Sequence, residues 1–389
     1  MNSITKVAVI GAGTMGSGIA QVAAQAGHQV VLFDSRREAV DRALADLRRT
    51  LDKLVEKGRS TAEQAHALLG RIAPANDLKE LAGSGLVIEA IIEDLGIKKK
   101  VFADLEGILG ADAVLATNTS SLSVTAIAAG CLKPERVIGL HFFNPAPLLP
   151  LVEVVPGLAT DATLAPRMMT LMQAWGKVPV ACKDTPGFIV NRVARPFYGE
   201  AIRIYEEGIA DMPTIDAAMK SAGFRMGPFE LMDLIGNDIN FTVTRTVWEA
   251  FFYDPRYKPS FTQQRQVESG RLGRKTRQGY YSYADGAVPE LPAVDEAVAS
   301  PIVDRILAML INEAADALFW QVATAKDIDL AMTKGVNYPK GLLAWANEKG
   351  AAHWSAVLER LQATYGEDRY RPSPLLRAAS KDGKPLPVG

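Results

Sequence analysis

Short, unbroken apolar runs alternate with longer stretches of helical period through the first half of the chain. Val7-Ala8-Val9-Ile10, Gln29 to Phe33, Leu86 to Ile91, Val114 to Thr117, Arg136 to Leu140 and Val178 to Cys182 each read as a strand. Runs that are apolar throughout, without alternation, are those of parallel strands buried on both faces. Between them, Gly18 to Ala26 reads as a small-residue helix. Residues 36–57 read as a long helix in which Arg42, Arg48, Arg49, Lys53 and Lys57 alternate with acids, as on a solvated, salt-bridged face. Leu164, Met168, Leu171, Met172 and Trp175 recur at helical spacing and are assigned to core packing. Strand–helix alternation of this kind predicts an α/β fold with a doubly wound sheet.

After Asp184 the pattern turns helical. A segment beginning near Thr185-Pro186-Gly187 runs on past Pro196, where a kink is expected, and is followed by Ala201 to Glu207, Thr214 to Lys220, Phe229 to Leu234 and Ile239 to Phe252. The helical part then repeats itself. Glu200-Ala201, Ile215-Asp216, Ala218-Met219 and Tyr257 with Pro259 recur 113 residues later as Glu313-Ala314, Ile328-Asp329, Ala331-Met332 and Tyr370 with Pro372. Gly227 matches Gly341 after a one-residue slip, which points to a duplicated helical domain. The expected organisation is a sheet domain over 1–184, a helical domain over 185–283, an Ala/Pro/acid linker over 284–298 and a second, degenerate helical domain over 299–389. The first copy closes with a basic, Gly-rich tail, Gly273 to Tyr281, and the second ends without that pattern.

Chemistry enters at the strand ends. The first strand runs directly into Gly11-Ala12-Gly13-Thr14-Met15-Gly16, then a helix, a second strand and Asp34, which lies 18 residues past Gly16. Strand, glycine turn, helix, strand and acid together form the dinucleotide fingerprint. Gly11 permits the tight turn, Gly13 lets the backbone approach a pyrophosphate, Gly16 allows close helix–strand packing, and the helix N-terminus offers N–H groups to phosphate. A carboxylate at Asp34 can accept from both ribose hydroxyls and repels a 2′-phosphate, so NAD is favoured over NADP, although Arg36 and Arg37 follow it.

Two further strand ends carry polar groups. Asn118-Thr119-Ser120-Ser121 ends one strand, where a doubly wound sheet binds ligands, and also fits a helix N-cap. His141 follows the run Gly139-Leu140 and leads into Asn144-Pro145, and Glu153 sits in the middle of the apolar run Leu151 to Val155. Imidazole ordinarily titrates near neutral pH, and a carboxylate on its second nitrogen would orient it and stabilise its protonated form. On local sequence two readings stay open: a catalytic base, or a hydrogen-bonded core histidine beside a strand-edge charge.

Bulk composition narrows the class. With 389 residues the chain exceeds one ordinary core, and 48% apolar and 22% charged residues are those of a globular protein. A formal net charge of -1 gives no reason to expect nucleic acid or an anionic membrane as partner. No apolar segment approaches the roughly 20 residues that span a bilayer. The first strand begins by about Lys6, which leaves no room for a leader, and Cys131 and Cys182 are too few for a disulfide framework. A reducing cytoplasm is the expected location. No His/Cys/carboxylate grouping has metal-ligand spacing.

The motifs VAVIGAGTMGSGIAQ, VIEAIIED, TNTSSL, GLHFFNP, LVEVV, DTPGFIVNR, MGPFELMDLIG and GRKTRQGYYSY, in this order, resemble the 3-hydroxyacyl-CoA dehydrogenase family over nearly the whole chain. The repeat at 300–377 is similar to the second C-terminal domain of bacterial members. The resemblance implies a Rossmann-type sheet followed by two tandem all-α domains of the 6-phosphogluconate-dehydrogenase-like kind. It implies NAD-dependent oxidation of an (S)-3-hydroxyacyl-CoA to the 3-ketoacyl-CoA in fatty-acid or aromatic-acid catabolism, with 3-hydroxybutyryl-CoA or 3-hydroxyadipyl-CoA as the candidate substrate.

By the same resemblance His141 is the general base, Glu153 orients it, and Ser120 and Asn191 hydrogen-bond the reacting oxygen and the base. Gly11, Gly13, Thr14, Met15, Gly16, Asp34, Glu93, Lys98, Asn144 and Lys275 fall on the cofactor side, and Thr50 and Lys57 where the family contacts CoA. One departure is Arg225, where the family has proline before Met-Gly-Pro-Phe-Glu, and it bears on acyl-tail selectivity. Members with one helical domain pair through it. Two arrangements therefore stay open, a homodimer or a tandem copy that covers that surface within the chain. The alternatives to the reading are a hydroxyacid dehydrogenase that does not use CoA thioesters and a non-catalytic dinucleotide-binding protein.

Overall fold

The computed structural model describes residues 4–389 and divides into two compact units between Thr185 and Pro186. The first unit is built on one eight-stranded sheet in the order β3-β2-β1-β4-β5-β6-β7-β8. Its strands are β1 (Lys6–Ile10), β2 (Gln29–Phe33), β3 (Ile72–Ala75), β4 (Leu86–Glu89), β5 (Val114–Thr117), β6 (Val137–Phe142), β7 (Leu151–Pro156) and β8 (Val178–Ala181). The helices are α1 (Thr14–Gln25), α2 (Arg37–Glu56), α3 (Ala62–Gly70), α4 (Leu95–Glu106), α5 (Val124–Ala128) and α6 (Leu164–Ala174). All strand pairs are parallel except β6 with β7. The order reverses between β1 and β4, which makes the carboxyl edge there the ligand crevice of such a sheet.

The apolar runs became strands because they are buried on both sides. Val7, Ala8, Val9, Leu86, Ile88 and Leu115 are each fully shielded. The methionine stripe of α6 packs as expected, with Leu164, Met168, Met172 and Trp175 in the core beneath the sheet. Three features differ from the pattern. β3, Ile72-Ala-Pro-Ala, has no counterpart among the expected strands; it is one of the two edge strands, where the missing N–H of Pro74 is tolerated. β4 stops at Glu89, whose carboxylate turns back to accept from the Ile91 N–H at 2.7 Å, so the chain leaves the sheet sooner than its hydrophobicity suggests. β6 continues through His141 to Phe142, so the histidine is a strand residue and does not begin a loop.

The second unit is helical. Its first half holds α7 (Val190–Val193), α8 (Arg195–Glu206), α9 (Met212–Ser221), α10 (Pro228–Ile235), α11 (Asn237–Ala250) and α12 (Phe261–Glu268). Its second half holds α13 (Glu296–Phe319), α14 (Ala325–Gly335), α15 (Leu342–Lys349), α16 (Ala351–Tyr365) and α17 (Pro374–Asp382). The expected bend near Pro196 is the break between α7 and α8 at Ala194, and Pro196 sits in the first turn of α8, where its missing N–H costs nothing. α13 begins at Glu296, inside the stretch read as linker, and carries Pro301 near its start.

The repeat is visible as matched devices. Asp216 caps α10 through the N–H groups of Phe229 and Glu230, each at 2.9 Å. Asp329 caps α15 in the same way through Leu343 at 2.9 Å and Ala344 at 3.1 Å. Both caps require glycine beside them, since a Cβ on Gly227 would lie 2.3 Å from Asp216 and one on Gly341 2.2 Å from Asp329.

The two halves pack on each other mainly through α13, which lies against α7, α8 and α9. Their contact is reciprocal. Glu313 of the second half pairs with Arg192 of the first at 2.5 Å and accepts from the Tyr257 hydroxyl at 2.5 Å. Glu200 of the first half pairs with Arg305 of the second at 3.0 Å and accepts from the Tyr370 hydroxyl at 3.1 Å. Arginine, glutamate and tyrosine thus recur at the same 113-residue offset on opposite sides, as a two-fold axis demands of a self-complementary surface.

Both glutamates are fully buried, so each depends on its partners. For Glu313, burial alone would raise the carboxyl; Arg192, Arg256 and the Tyr257 hydroxyl outweigh it and hold it at about 2. A carboxyl depressed below its ordinary value of 4.5 contributes stability that is complete above that pH and is lost as pH falls toward the folded value. Chemical denaturation between pH 5 and pH 2 should therefore show a progressive loss, on the order of 3 kcal/mol, from this residue. Glu313→Gln should be less stable at neutral pH and should flatten that part of the profile. An unchanged slope in the variant would assign the acid sensitivity elsewhere.

Candidate active site

Three groups of side chains lie along the carboxyl edge of the parallel strands in the first unit. The first is the glycine turn after β1. Gly11 has a φ of +100°, and a Cβ there would lie 2.5 Å from the Ala90 carbonyl oxygen. A Cβ on Gly16 would lie 1.8 Å from the Gly11 oxygen, so helix and strand approach as only glycine permits. Gly13 meets nothing within 4 Å, which leaves the open side of the turn facing the N-terminus of α1. That terminus begins with Thr14 and Met15 and has no side-chain cap. Asp34, at the end of β2, is drawn to the same turn, where its carboxylate accepts from the Ala12 N–H at 2.9 Å and the Arg36 N–H at 3.0 Å.

The second group links the ends of β4 and β5. Glu89 and Lys98 are buried and paired at 2.6 Å, and Lys98 also lies 3.3 Å from Glu93. Glu89 takes a further hydrogen bond from the Thr117 hydroxyl at 2.8 Å. Glu93 in turn accepts from the Thr119 hydroxyl at 3.0 Å, the Ser120 N–H at 2.7 Å and the Ser120 hydroxyl at 3.2 Å. A chain of charge-assisted bonds therefore runs from the sheet interior out to Ser120. The Asn118-Thr119-Ser120-Ser121 stretch is not the N-cap of α5. That task falls to Ser123, while Asp184 accepts from the Val124 and Thr125 N–H groups at 3.0 and 2.7 Å. Asn118 supports β6 instead, accepting from the Phe142 N–H at 2.8 Å.

The third group is the pair in the antiparallel ladder. His141 and Glu153 are directly opposite each other in the β6–β7 register, and His141 Nδ1 stands 2.6 Å from Glu153 Oε2. Glu153 is fully shielded and His141 is 6% exposed, so the bond forms away from competing water. A carboxylate there accepts the Nδ1 proton, which fixes the tautomer with the basic lone pair on Nε2. The Phe143 ring lies 4.4 Å from the imidazole and packs against it. Asn144 follows in the turn, before a cis peptide to Pro145.

Four expected residues fall outside these three groups of the first unit. Thr50 and Lys57 are exposed, toward and at the C-terminal end of α2, with the Thr50 hydroxyl donating to the Asp46 carbonyl at 2.8 Å. Asn191 and Lys275 belong to the second unit. The Asn191 carbonyl accepts from Arg195 Nε at 3.0 Å, and Lys275 pairs with Asp238 at 2.6 Å. Sequence reasoning marked Thr119 within the polar strand end and passed over Glu89 and Thr117. The available signal was a carboxylate at the end of a strand in which every residue is buried, a position that demands a partner.

Comparison with known proteins places this geometry. The family model for the 3-hydroxyacyl-CoA dehydrogenase NAD binding domain matches residues 6–185, and that for the 3-hydroxyacyl-CoA dehydrogenase C-terminal domain matches both 187–283 and 302–385. The chain is 42% identical to the 3-hydroxyadipyl-CoA dehydrogenase of Escherichia coli, over 97% of this chain and 98% of that one. That alignment spans 463 positions, more than this chain has residues, so the relative carries segments that are absent here. A 3-hydroxybutyryl-CoA dehydrogenase from Clostridioides difficile is 42% identical over 72% of this chain and 99% of its own length. The crystal structure of a 3-hydroxybutyryl-CoA dehydrogenase from Escherichia coli K12 superposes with a TM-score of 0.91 at 42% identity, covering 98% of this chain and 99% of that one.

The buried Lys98 can be tested by itself. Lys98→Met keeps the volume and leaves Glu89 without its cation, and breaking a buried pair in this way costs roughly 3–5 kcal/mol. Denaturant unfolding should show that loss, whereas Lys98→Met paired with Glu89→Gln should recover part of it. Equal stability of the single and double variants would mean the pair is not coupled.

Proposed function

The chain belongs to the 3-hydroxyacyl-CoA dehydrogenase family, and from that premise we propose that it oxidises an (S)-3-hydroxyacyl-CoA to the 3-ketoacyl-CoA with His141 as the general base. The observation that carries this reading is the 2.6 Å hydrogen bond from a nearly buried His141 to a fully buried Glu153 at the carboxyl edge of the sheet. The first unit fits an NAD molecule on its own features: an open glycine turn at Gly13, an uncapped helix N-terminus and a carboxylate at Asp34. Bound NAD supplies the hydride acceptor, and the protein supplies position and proton transfer.

The hydroxyl proton of the substrate passes to His141 Nε2 as the C3 hydrogen departs as hydride and the C–O bond becomes a carbonyl. Glu153 stabilises the resulting imidazolium and holds the ring in one orientation. The Ser120 hydroxyl turns its single proton from Glu93 to the reacting oxygen, while Glu93 keeps hold of the Ser120 N–H. Asn191 serves the reacting oxygen and the base. On the cofactor side act Gly11, Gly13, Thr14, Met15, Gly16, Asp34, Glu93, Lys98, Asn144 and Lys275, while Thr50 and Lys57 serve the CoA portion. The substrate is a short thioester, 3-hydroxybutyryl-CoA or the dicarboxylic 3-hydroxyadipyl-CoA, in fatty-acid or aromatic-acid catabolism. Support for this comes from relatives bearing those names over most of their length. No helix among the described residues is long and apolar enough to cross a membrane.

Loss of NADH absorbance with acetoacetyl-CoA is the direct assay, with a kcat/KM series over C4, C6, C8 and adipyl thioesters to define the tail. Activity on free 3-hydroxybutyrate and none on any thioester would overturn the CoA reading. His141→Ala should lower turnover by roughly 10²–10⁴ and leave NADH affinity near wild type. Loss of NADH binding in that variant would make His141 structural.

A further inference from the structure

The reciprocal contact between the two helical halves is symmetric in its parts and asymmetric in what it holds. Arg192, tied to Glu313, directly follows Asn191 in the four-residue helix α7. Arg305, tied to Glu200, directly follows Asp304, the residue at the Asn191 position of the repeat. Asn191 belongs to the motif on which the catalytic reading rests. Asp304 instead pairs with Lys349 at 2.7 Å and with His353 at 3.1 Å. One latch holds a site residue, and its counterpart holds an ion pair of the second half.

Helix α7 is a short segment set off from α8 at Ala194. Four residues are far below the length at which helical hydrogen bonds sustain a helix. The backbone leading into it passes through the left-handed region at Gly187, with φ +71°, and at Phe188, a non-glycine with φ +49°. Its setting must come from what it packs against. Arg192 is 4% exposed; its Nε meets Glu313 at 2.5 Å and its guanidinium lies 5.2 Å from the Phe251 ring centre. Glu313 is itself held by Arg256 at 3.0 Å and the Tyr257 hydroxyl at 2.5 Å, so it is a rigid anchor and not a mobile counter-ion.

We propose that Glu313, supplied by the second helical copy, is a positioning residue that sets Asn191 for catalysis through Arg192. The second copy thereby supplies the carboxylate that ties down the residue next to Asn191. The inference rests on the assignment of Asn191 to the reaction.

The test uses the full chain and the same one-methylene shortening at the two related glutamates. Glu313→Asp should lower kcat roughly 10- to 10²-fold, the range expected when a catalytic group is displaced by a fraction of an ångström to 1 Å, with KM for NAD unchanged. Glu200→Asp, which loosens the latch beside Asp304, should shift the melting temperature by a comparable amount with kcat within about threefold of wild type. Glu313→Gln should lower kcat further; if it does not fold, the aspartate pair still decides. Equal kcat losses in the two aspartate variants, or none in Glu313→Asp, would overturn the proposal. Asn191→Ala, measured alongside, separates the two layers. If it retains full activity the Asn191 assignment fails, and if it is impaired while Glu313→Asp is not, only the positioning role fails.

Discussion

A carboxylate removed from water must be met by cations or hydrogen-bond donors, and this requirement organises both units. Glu89, Glu153, Glu200 and Glu313 are each fully shielded from solvent. Taking one ion out of water costs several kcal/mol, so each position is tenable only with its partners in place. Glu89 is answered by Lys98 and Thr117, Glu153 by His141, Glu200 by Arg305 and Tyr370, and Glu313 by Arg192, Arg256 and Tyr257. None of these is the cheapest way to fill a core. Hydrophobic residues of equal volume often serve stability as well, whereas the buried charges here also fix directions: one at Nδ1 of His141, one at the Ser120 loop and one between the two helical copies.

The sheet translates that geometry into a site. In the β6–β7 ladder, cross-strand partners stand face to face, so a twelve-residue separation in sequence becomes a 2.6 Å contact. A one-residue slip would turn Glu153 to the other face and bring Val152 or Val154 opposite the histidine. The same carboxyl edge receives the glycine turn from β1 and the Glu93–Ser120 link from the ends of β4 and β5. Groups far apart in sequence meet there because parallel strands all end on one side.

Much of the architecture was legible from period alone. Continuous apolar runs marked β1, β2, β5 and β8, and the 113-residue echo marked the helical repeat, because burial on both faces and duplication each leave a direct trace. The glycine fingerprint was legible for a similar reason: Gly11 and Gly16 sit where a Cβ would strike backbone. What escaped was whatever depends on partners. β3 left little trace because Ile72-Ala-Pro-Ala is short, carries a proline and buries only its two end residues, as an edge strand can. His141 read as standing between the strand that ends at Leu140 and the Asn144-Pro145 turn, and the ladder with β7 carries β6 through it. Glu89 lay inside an expected strand and Lys98 among the expected cofactor-side residues; only the fold reveals that both are buried against each other.

Duplication followed by divergence explains why the helical unit keeps charge at its centre. A self-complementary surface needs the same arginine, glutamate and tyrosine on both sides, and loss of either set would strand its counterpart in the interior. The central residues are therefore held in place by each other, while positions outside that network are free to change. Arg192 and Arg305, Glu200 and Glu313, and Tyr257 and Tyr370 have stayed alike, yet Asn191 has become Asp304 and the Gly273–Tyr281 tail has no equivalent. Asp233 shows what that tail does in the first copy: it accepts from the Tyr280 and Tyr281 N–H groups, each at 2.9 Å, and so ties the segment bearing Lys275 to α10. A second half relieved of that task can close with α17 instead. The interface is thus the part of the copy under physical constraint, and the two copies differ outside it.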